Sequence, residues 1–272
     1  MTSFSTFSRR MLGRKTVRIL IAGLVLGLVY FAFSGRRAGL QPDAKGGFTM
    51  EQTQGPPKHI VLLGASVGYA WNISALPQRA GIARYRFEYV HGSPFDKSKV
   101  LKEILGRTEN KPDMIFLKEC AAYFPGDLDR YKALMIRWIG ECRDSGVVPI
   151  PATVVPVTGL HAYKVFAYDI LKLRNPFRFG SPFRQLRLKS VLEYNDWLRA
   201  YCRENGVVVL DLEAAVRRSA AKRFLRSDLA KVDGLHLKPQ AYPFLDRAVW
   251  PALAQVDTAE KGPGDRVSGS GR

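Results

Sequence analysis

Hydrophobic positions fall into three patterns along the chain. One is a wholly apolar stretch, Ile19–Phe33. The second is a set of short apolar runs, at Ile60–Leu63, Tyr85–Val90, Met114–Leu117, within Val147–Val157 and at Val207–Leu210. Runs of this length, bounded by turn residues, predict strands buried on both faces. The third has helical spacing and is clearest over Asp127–Asp144, where Leu128, Tyr131, Leu134, Met135, Trp138 and Ile139 share one face. Further helices are predicted near Lys97–Arg107, over Ser190–Asn205, from Glu213 and over Ala241–Ala254. Strands alternating with helices predict a three-layer α/β/α sandwich around a central parallel sheet of about five strands.

Between these elements, Gly159–Lys189 shows no regular period. It mixes Phe166, Tyr168, Phe177, Phe179 and Phe183 with Lys164, Lys172, Arg174, Arg178, Arg184 and Arg187. A loop of that length inside a compact domain is expected to be a lid or a binding surface, suited to an anionic glycan or a lipid headgroup. Ser34–Pro57, rich in Gly, Pro, Gln and charge, reads as a tether, and the polar, Gly-rich end of the chain reads as a disordered tail. The expected organisation is a basic leader over 1–18, an anchor over 19–34, a tether over 35–57, one folded domain over 58–256 and a tail over 257–272.

Charge sharpens the picture of the N-terminus. Over 272 residues the net charge is +18, with 46% hydrophobic and 24% charged positions, a composition that suits one globular domain with appendages. Part of the excess is local: Arg9, Arg10, Arg14, Lys15 and Arg18 precede the apolar stretch, Arg36 and Arg37 follow it, and no acid lies among them. This is the pattern of a signal peptide or an uncleaved signal anchor, and the anchor is favoured because cleavage after Ser34 matches a small-x-small site poorly. The positive-inside rule places the N-terminus in the cytoplasm and the domain in the periplasm or outside the cell, held to the membrane by the N-terminal helix. Charge that is partly a targeting signal gives no case for nucleic acid as a partner. The three cysteines, Cys120, Cys142 and Cys202, show no Cys-x-x-Cys spacing, so neither a disulfide framework nor a zinc site is signalled.

Candidate chemistry starts at His59–Trp71, where the run Ile60–Leu63 stops at Gly64-Ala65-Ser66. In an open α/β sheet, ligands bind beyond the C-terminal ends of the strands. Ser66 would stand at that edge, with its own N–H near enough to receive an oxyanion. Asp233-Gly-Leu-His236 lies before the last predicted helix. Its spacing lets one turn present the imidazole to a nucleophile while the carboxylate holds the other ring nitrogen. Gly64-Ala65-Ser66-Val67-Gly68 also fits the Gly-x-Ser-x-Gly elbow, but that fold needs several strands before the elbow. No Gly-x-Gly-x-x-Gly follows the first strand, and neither a cofactor nor a metal is implied.

Taken together, these blocks resemble the SGNH, or GDSL-type, hydrolases. The resemblance covers about Lys58 to Leu253. Gly64-Ala65-Ser66 stands where the family has Gly-Asp-Ser, Gly92 of His91-Gly92-Ser93 matches the second block, and Asp233 and His236 match the last. Tyr194–Leu198 before Gly206–Leu212 is similar to the family's penultimate helix and strand. The resemblance implies a flavodoxin-like sandwich and a catalytic triad of Ser66, His236 and Asp233, with the N–H groups of Ser66 and Gly92 as oxyanion donors. It implies O-acyl ester hydrolysis or acyl transfer, on a small ester or an acylated, especially O-acetylated, envelope or secreted glycan. The third block departs from the pattern: Lys118-Glu119-Cys120-Ala121 lacks the Asn that would be a further donor. Lys118 is a candidate replacement. Glu119 is a candidate for substrate or cation binding, or for a structural ion pair with Lys118 or an arginine. His91 is a candidate pocket residue or a packing residue, and His161 a candidate substrate contact. The missing Asn also leaves open a non-catalytic glycan-binding or scaffold protein on the same fold.

Overall fold

The computed structural model of the protein describes residues 56–175 and 186–260. The expected leader, the anchor and all but the last two residues of the tether lie outside them. No helix among the described residues is long and apolar enough to cross a membrane.

The chain opens with β1 (Lys58–Gly64), then α1 (Ser66–Trp71), a 3-10 turn at Ile73–Ala75, α2 (Leu76–Ala80) and β2 (Tyr85–His91). There follow α3 (Ser98–Leu105), β3 (Met114–Lys118), a 3-10 turn at Ala121–Tyr123, α4 (Leu128–Asp144) and β4 (Val148–Ala152). Next come α5 (His161–Leu171), α6 (Leu186–Glu204) and α7 (Leu212–Val216), then a 3-10 turn at Pro239–Ala241 and α8 (Tyr242–Glu260). The four strands form one parallel sheet in the order β2-β1-β3-β4.

Alternation along the strands builds two cores. Ile60, Leu62, Met114 and Phe116 face one side, where α1, α2, α7 and α8 contribute Val67, Trp71, Leu76, Val216, Leu245 and Val249. Val61, Leu63, Ile115 and Leu117 face the other, against Leu101 and Ile104 of α3, Trp138 and Ile139 of α4, and Val191 and Leu198 of α6. Both faces of the sheet are therefore covered, as the unbroken apolar runs require.

The expected fifth strand is reduced to one bridge. Leu210 pairs in parallel with Ala152, through Leu210 N–H to Pro151 O at 2.9 Å and Thr153 N–H to Leu210 O at 3.0 Å. Extending this ladder toward Val208 would need an N–H from Pro151, which has none, so pairing stops there. Two other expectations change. His161–Leu171, expected to be irregular, is a helix, and α8 runs on to Glu260 through the first residues of the expected tail. The remainder of that tail lies outside the described residues, as does 176–185 of the expected loop.

Candidate active site

Four strand ends place the candidate residues. β1 ends at Gly64, and Ser66 follows as the first residue of α1. Its N–H therefore has no acceptor within the helix. β2 ends at His91, paired in register with Gly64, so Gly92 stands beside the Gly64–Ser66 turn. β3 ends at Lys118, which leads into Glu119 and Cys120, and β4 leads through Thr153 to Thr158. Asn195 of α6 holds this last connection: its Oδ1 accepts from Val154 N–H at 2.7 Å, and its Nδ2 donates to Val154 O at 2.9 Å.

The Asp233–His236 loop is built as a tight turn. Asp233 Oδ1 accepts from the N–H groups of Leu235 and His236 at 2.9 and 3.0 Å, and Asp233 Oδ2 pairs with His236 Nδ1 at 2.6 Å. Gly234 occupies the left-handed region at φ 69°, and its N–H donates to Lys231 O. A Cβ there would lie 2.4 Å from Thr158 Oγ1, so both the backbone conformation and the space require glycine. Burial alone would raise the Asp233 carboxyl. The hydrogen bonds from the His236 ring and from the two backbone N–H groups outweigh it and hold the carboxyl below its usual range. Asp233 is thus an anion that orients His236 and would stabilise an imidazolium.

Ser66 is not hydrogen-bonded to His236. The partner of its Oγ is Cys120 Sγ, at 3.8 Å. Cys120, from the block that lacks the expected Asn, therefore stands beside the Ser66 hydroxyl, a placement that sequence reading missed although Cys120 lies inside that block. All three cysteines are free and buried.

Several expected contacts take other forms. The Gly92 N–H, expected to be an oxyanion donor, is already used: it donates to Gly64 O at 2.8 Å and extends the β1–β2 ladder by one bond. Tyr89 Oη donates to the same carbonyl at 3.1 Å, so it accepts from His91 Nδ1 at 3.0 Å. His91 is exposed at the end of β2, and this contact holds its ring against Tyr89. Glu119 and Lys118 are each 1% exposed, too buried to meet a diffusing substrate. Glu119 instead pairs with Lys97, whose Nζ lies 2.5 Å from both carboxylate oxygens. Lys118 Nζ donates to Glu119 O at 3.2 Å.

Lys97, unremarkable in the sequence, is the centre of this buried group. Its ammonium also donates to Phe95 O at 3.2 Å and lies over the rings of Phe95, Tyr123 and Trp138. Burial lowers the Lys97 amine, against the pull of Glu119, and pushes the Glu119 carboxyl up to about 7, against the pull of Lys97. Lys118, fully buried and near Lys97, is lowered by the same desolvation.

His161 also takes a position other than the one expected. It is buried, its Nδ1 lies 2.6 Å from Asp233 O, and its Nε2 lies 2.9 Å from Arg187 Nη1. It faces the Asp233–His236 loop on one side and α6 on the other.

No family model and no curated protein matches the chain. Solved structures do. A GDSL-like lipase from Bacteroides thetaiotaomicron superposes with a TM-score of 0.52 at 15% identity, over 73% of this chain and 89% of that one. A candidate SGNH hydrolase from Slackia heliotrinireducens gives 0.50 at 14% identity, over 72% and 99%. The fold is that of the SGNH hydrolases. A mutant of an acetyl-xylooligosaccharide esterase from Geobacillus Stearmophilus also shares it, with a TM-score of 0.51 at 15% identity over 79% and 99% of the two chains. Within the SGNH fold, the strand order of this chain with Leu210 added at its edge is the flavodoxin-like 2-1-3-4-5.

Proposed function

We propose that the protein is a serine ester hydrolase, with Ser66 as nucleophile, His236 as general base and acid, and Asp233 as the group that orients it. The observation that carries this reading is the Asp233 Oδ2 to His236 Nδ1 contact of 2.6 Å, in a loop anchored at the same sheet edge as Ser66. In the reaction, Ser66 Oγ turns from Cys120 toward His236, gives its proton to Nε2 and attacks the ester carbonyl carbon. The Ser66 N–H takes the oxyanion. His236 then protonates the departing alcohol as the ester C–O bond breaks, and water, deprotonated by His236, releases the acyl group. A sugar hydroxyl in place of that water would make the protein an acyltransferase. The absence of a Ser66–His236 hydrogen bond in the free protein is compatible with this chemistry, because catalytic hydrogen bonds often form fully only with substrate bound.

Acetylated sugars are the substrate class we favour, supported by the Geobacillus esterase that shares the fold. We further propose that Ile19–Phe33 anchors the protein in the membrane with the domain outside, on the strength of the basic residues around that stretch. Release of intact protein from membranes by salt alone would exclude the anchor.

The occupied Gly92 N–H and the thiol in place of the third-block amide favour a second reading, a non-catalytic glycan-binding protein on this fold. One experiment separates the two. The full chain in detergent is treated with a fluorophosphonate probe. Labelling that disappears in Ser66→Ala and His236→Ala supports the hydrolase, and an unlabelled wild-type chain supports the binding protein.

A further inference from the structure

Four segments meet around the His161–Arg187 pair. Arg187, the second residue of α6, donates from Nε to Phe124 O at 2.9 Å and reaches His161 Nε2 with Nη1 at 2.9 Å. A guanidinium can only donate, so Nε2 of His161 must accept, and the ring proton must sit on Nδ1. That Nδ1–H points at Asp233 O, 2.6 Å away, and a carbonyl can only accept. The two partners therefore select one neutral tautomer of His161 from opposite sides. One bond further along, the Thr158 N–H donates to Gly234 O at 2.9 Å. Consecutive carbonyls of the triad loop are thus held by consecutive turns of the segment leading into α5, and that segment is braced through Arg187 against the loop after β3.

We infer that His161 is a positioning residue for the triad: by donating to Asp233 O, with Arg187 fixing its tautomer, it sets the place of the Asp233–His236 turn relative to Ser66. This rests on the reading of Ser66, His236 and Asp233 as a triad. Among the described residues the Asp233 side chain is held by groups of its own turn, the N–H groups of Leu235 and His236 and the His236 ring. Those bonds keep the turn's shape but not its position. Position comes from outside the turn, and at Asp233 it comes from His161. Without that donor the carbonyl of Asp233 turns toward water, and the Asp233 end of the turn shifts while Thr158 N–H still holds Gly234 O and Lys231 N–H still holds His236 O. A shift of about 1 Å at a reacting group costs on the order of 100-fold in rate.

The test uses the full chain as wild type and as His161→Ala, His161→Asn and Arg187→Lys. Two readouts are taken: hydrolysis of p-nitrophenyl acetate, and the proton resonance of the His236 Nδ1–H held by Asp233. Asn places an amide N–H where Nδ1 was, so His161→Asn should stay within about threefold of wild type in kcat. His161→Ala should lose roughly 10- to 100-fold in kcat with KM nearly unchanged, and the His236 signal should shift or broaden. Arg187→Lys, which keeps the charge but loses the two-point grip on Phe124 and His161, should fall between them and decides the matter if His161→Ala does not fold. Equal kcat in His161→Ala and wild type, or an equal loss in the Ala and Asn variants, would overturn the inference. A wild-type chain that hydrolyses nothing would overturn the hydrolase reading instead, and the His236 resonance would still show whether His161 holds the turn.

Discussion

Cys120 Sγ lies 3.8 Å from Ser66 Oγ, in the block where the resemblance to SGNH hydrolases leads one to expect an amide donor. A thiol is a weak donor, and one oxyanion donor is worth about 100- to 1000-fold in kcat where it has been removed. Restoring an amide should therefore raise the rate. Cys120→Asn is expected to increase kcat for p-nitrophenyl acetate by about tenfold or more, with KM little changed, while Cys120→Ala should differ little from wild type. An Asn variant that folds, judged by its melting temperature, and gains nothing would show that Cys120 does not stand at the oxyanion position.

Asp233→Asn tests the other end of the relay. Asn can still accept the backbone N–H groups of Leu235 and His236, so the turn should survive. The amide favours the wrong His236 tautomer and cannot stabilise an imidazolium. A loss of up to about 10,000-fold in kcat is expected, with the melting temperature close to wild type. Comparable activity in the two proteins would remove Asp233 from the mechanism.

The Lys97–Glu119 pair should show strong coupling. Each partner is almost fully buried, so removing one strands the other. Lys97→Met or Glu119→Leu alone is expected to cost about 3–5 kcal/mol, whereas the double variant Lys97→Met/Glu119→Leu should recover most of that loss. Urea titrations of the four proteins give the cycle. Additive single and double effects would mean that the two groups do not depend on each other.

Glu119 also sets a pH dependence. Its carboxyl is pushed up from 4.5 to about 7 by burial, so between those values the folded state holds a proton that the unfolded chain has lost. The contribution of this group to stability therefore declines as pH rises through that window, and no further loss follows above about 7. Urea midpoints taken across this range for wild type and Glu119→Gln check the sign: the difference between the two proteins should change across the window and level off on both sides. A constant difference would mean that Glu119 ionises as an ordinary carboxyl.

Gly92 carries a steric prediction independent of catalysis. A Cβ there would sit 2.8 Å from Lys97 Cδ and 2.9 Å from Leu63 Cδ1, both buried. Gly92→Ala should cost about 1–3 kcal/mol in a urea titration, and an unchanged midpoint would show that Lys97 has room to move.

Much of this architecture was legible because the sheet is buried on both faces. Ile60–Leu63 and Met114–Leu117 are apolar at every position, and no other element type explains such short runs as simply. Ser66, Asp233 and His236 could be picked out as candidates because they lie in short, local blocks. What escaped were relations between distant segments. Nothing near Lys97 signals that a carboxylate waits at Glu119, and nothing near His161 points to the carbonyl of Asp233. α5 escaped for another reason: Phe166, Ala167 and Ile170 are all partly buried and Leu171 is exposed, so its apolar residues follow no single face. Val207–Leu210 has the composition of a full strand but pairs at one bridge alone, because the missing donor lies on its partner, at Pro151.

That proline also bears on how copies of this protein avoid one another. A fully formed outermost strand would present an unbroken row of backbone donors and acceptors, the template on which sheets of separate molecules join edge to edge. Here regular pairing ends at a single bridge between Ala152 and Leu210, and the segment beyond it offers no continuous ladder to copy. Pro151 thus closes the sheet on the side where it would otherwise grow.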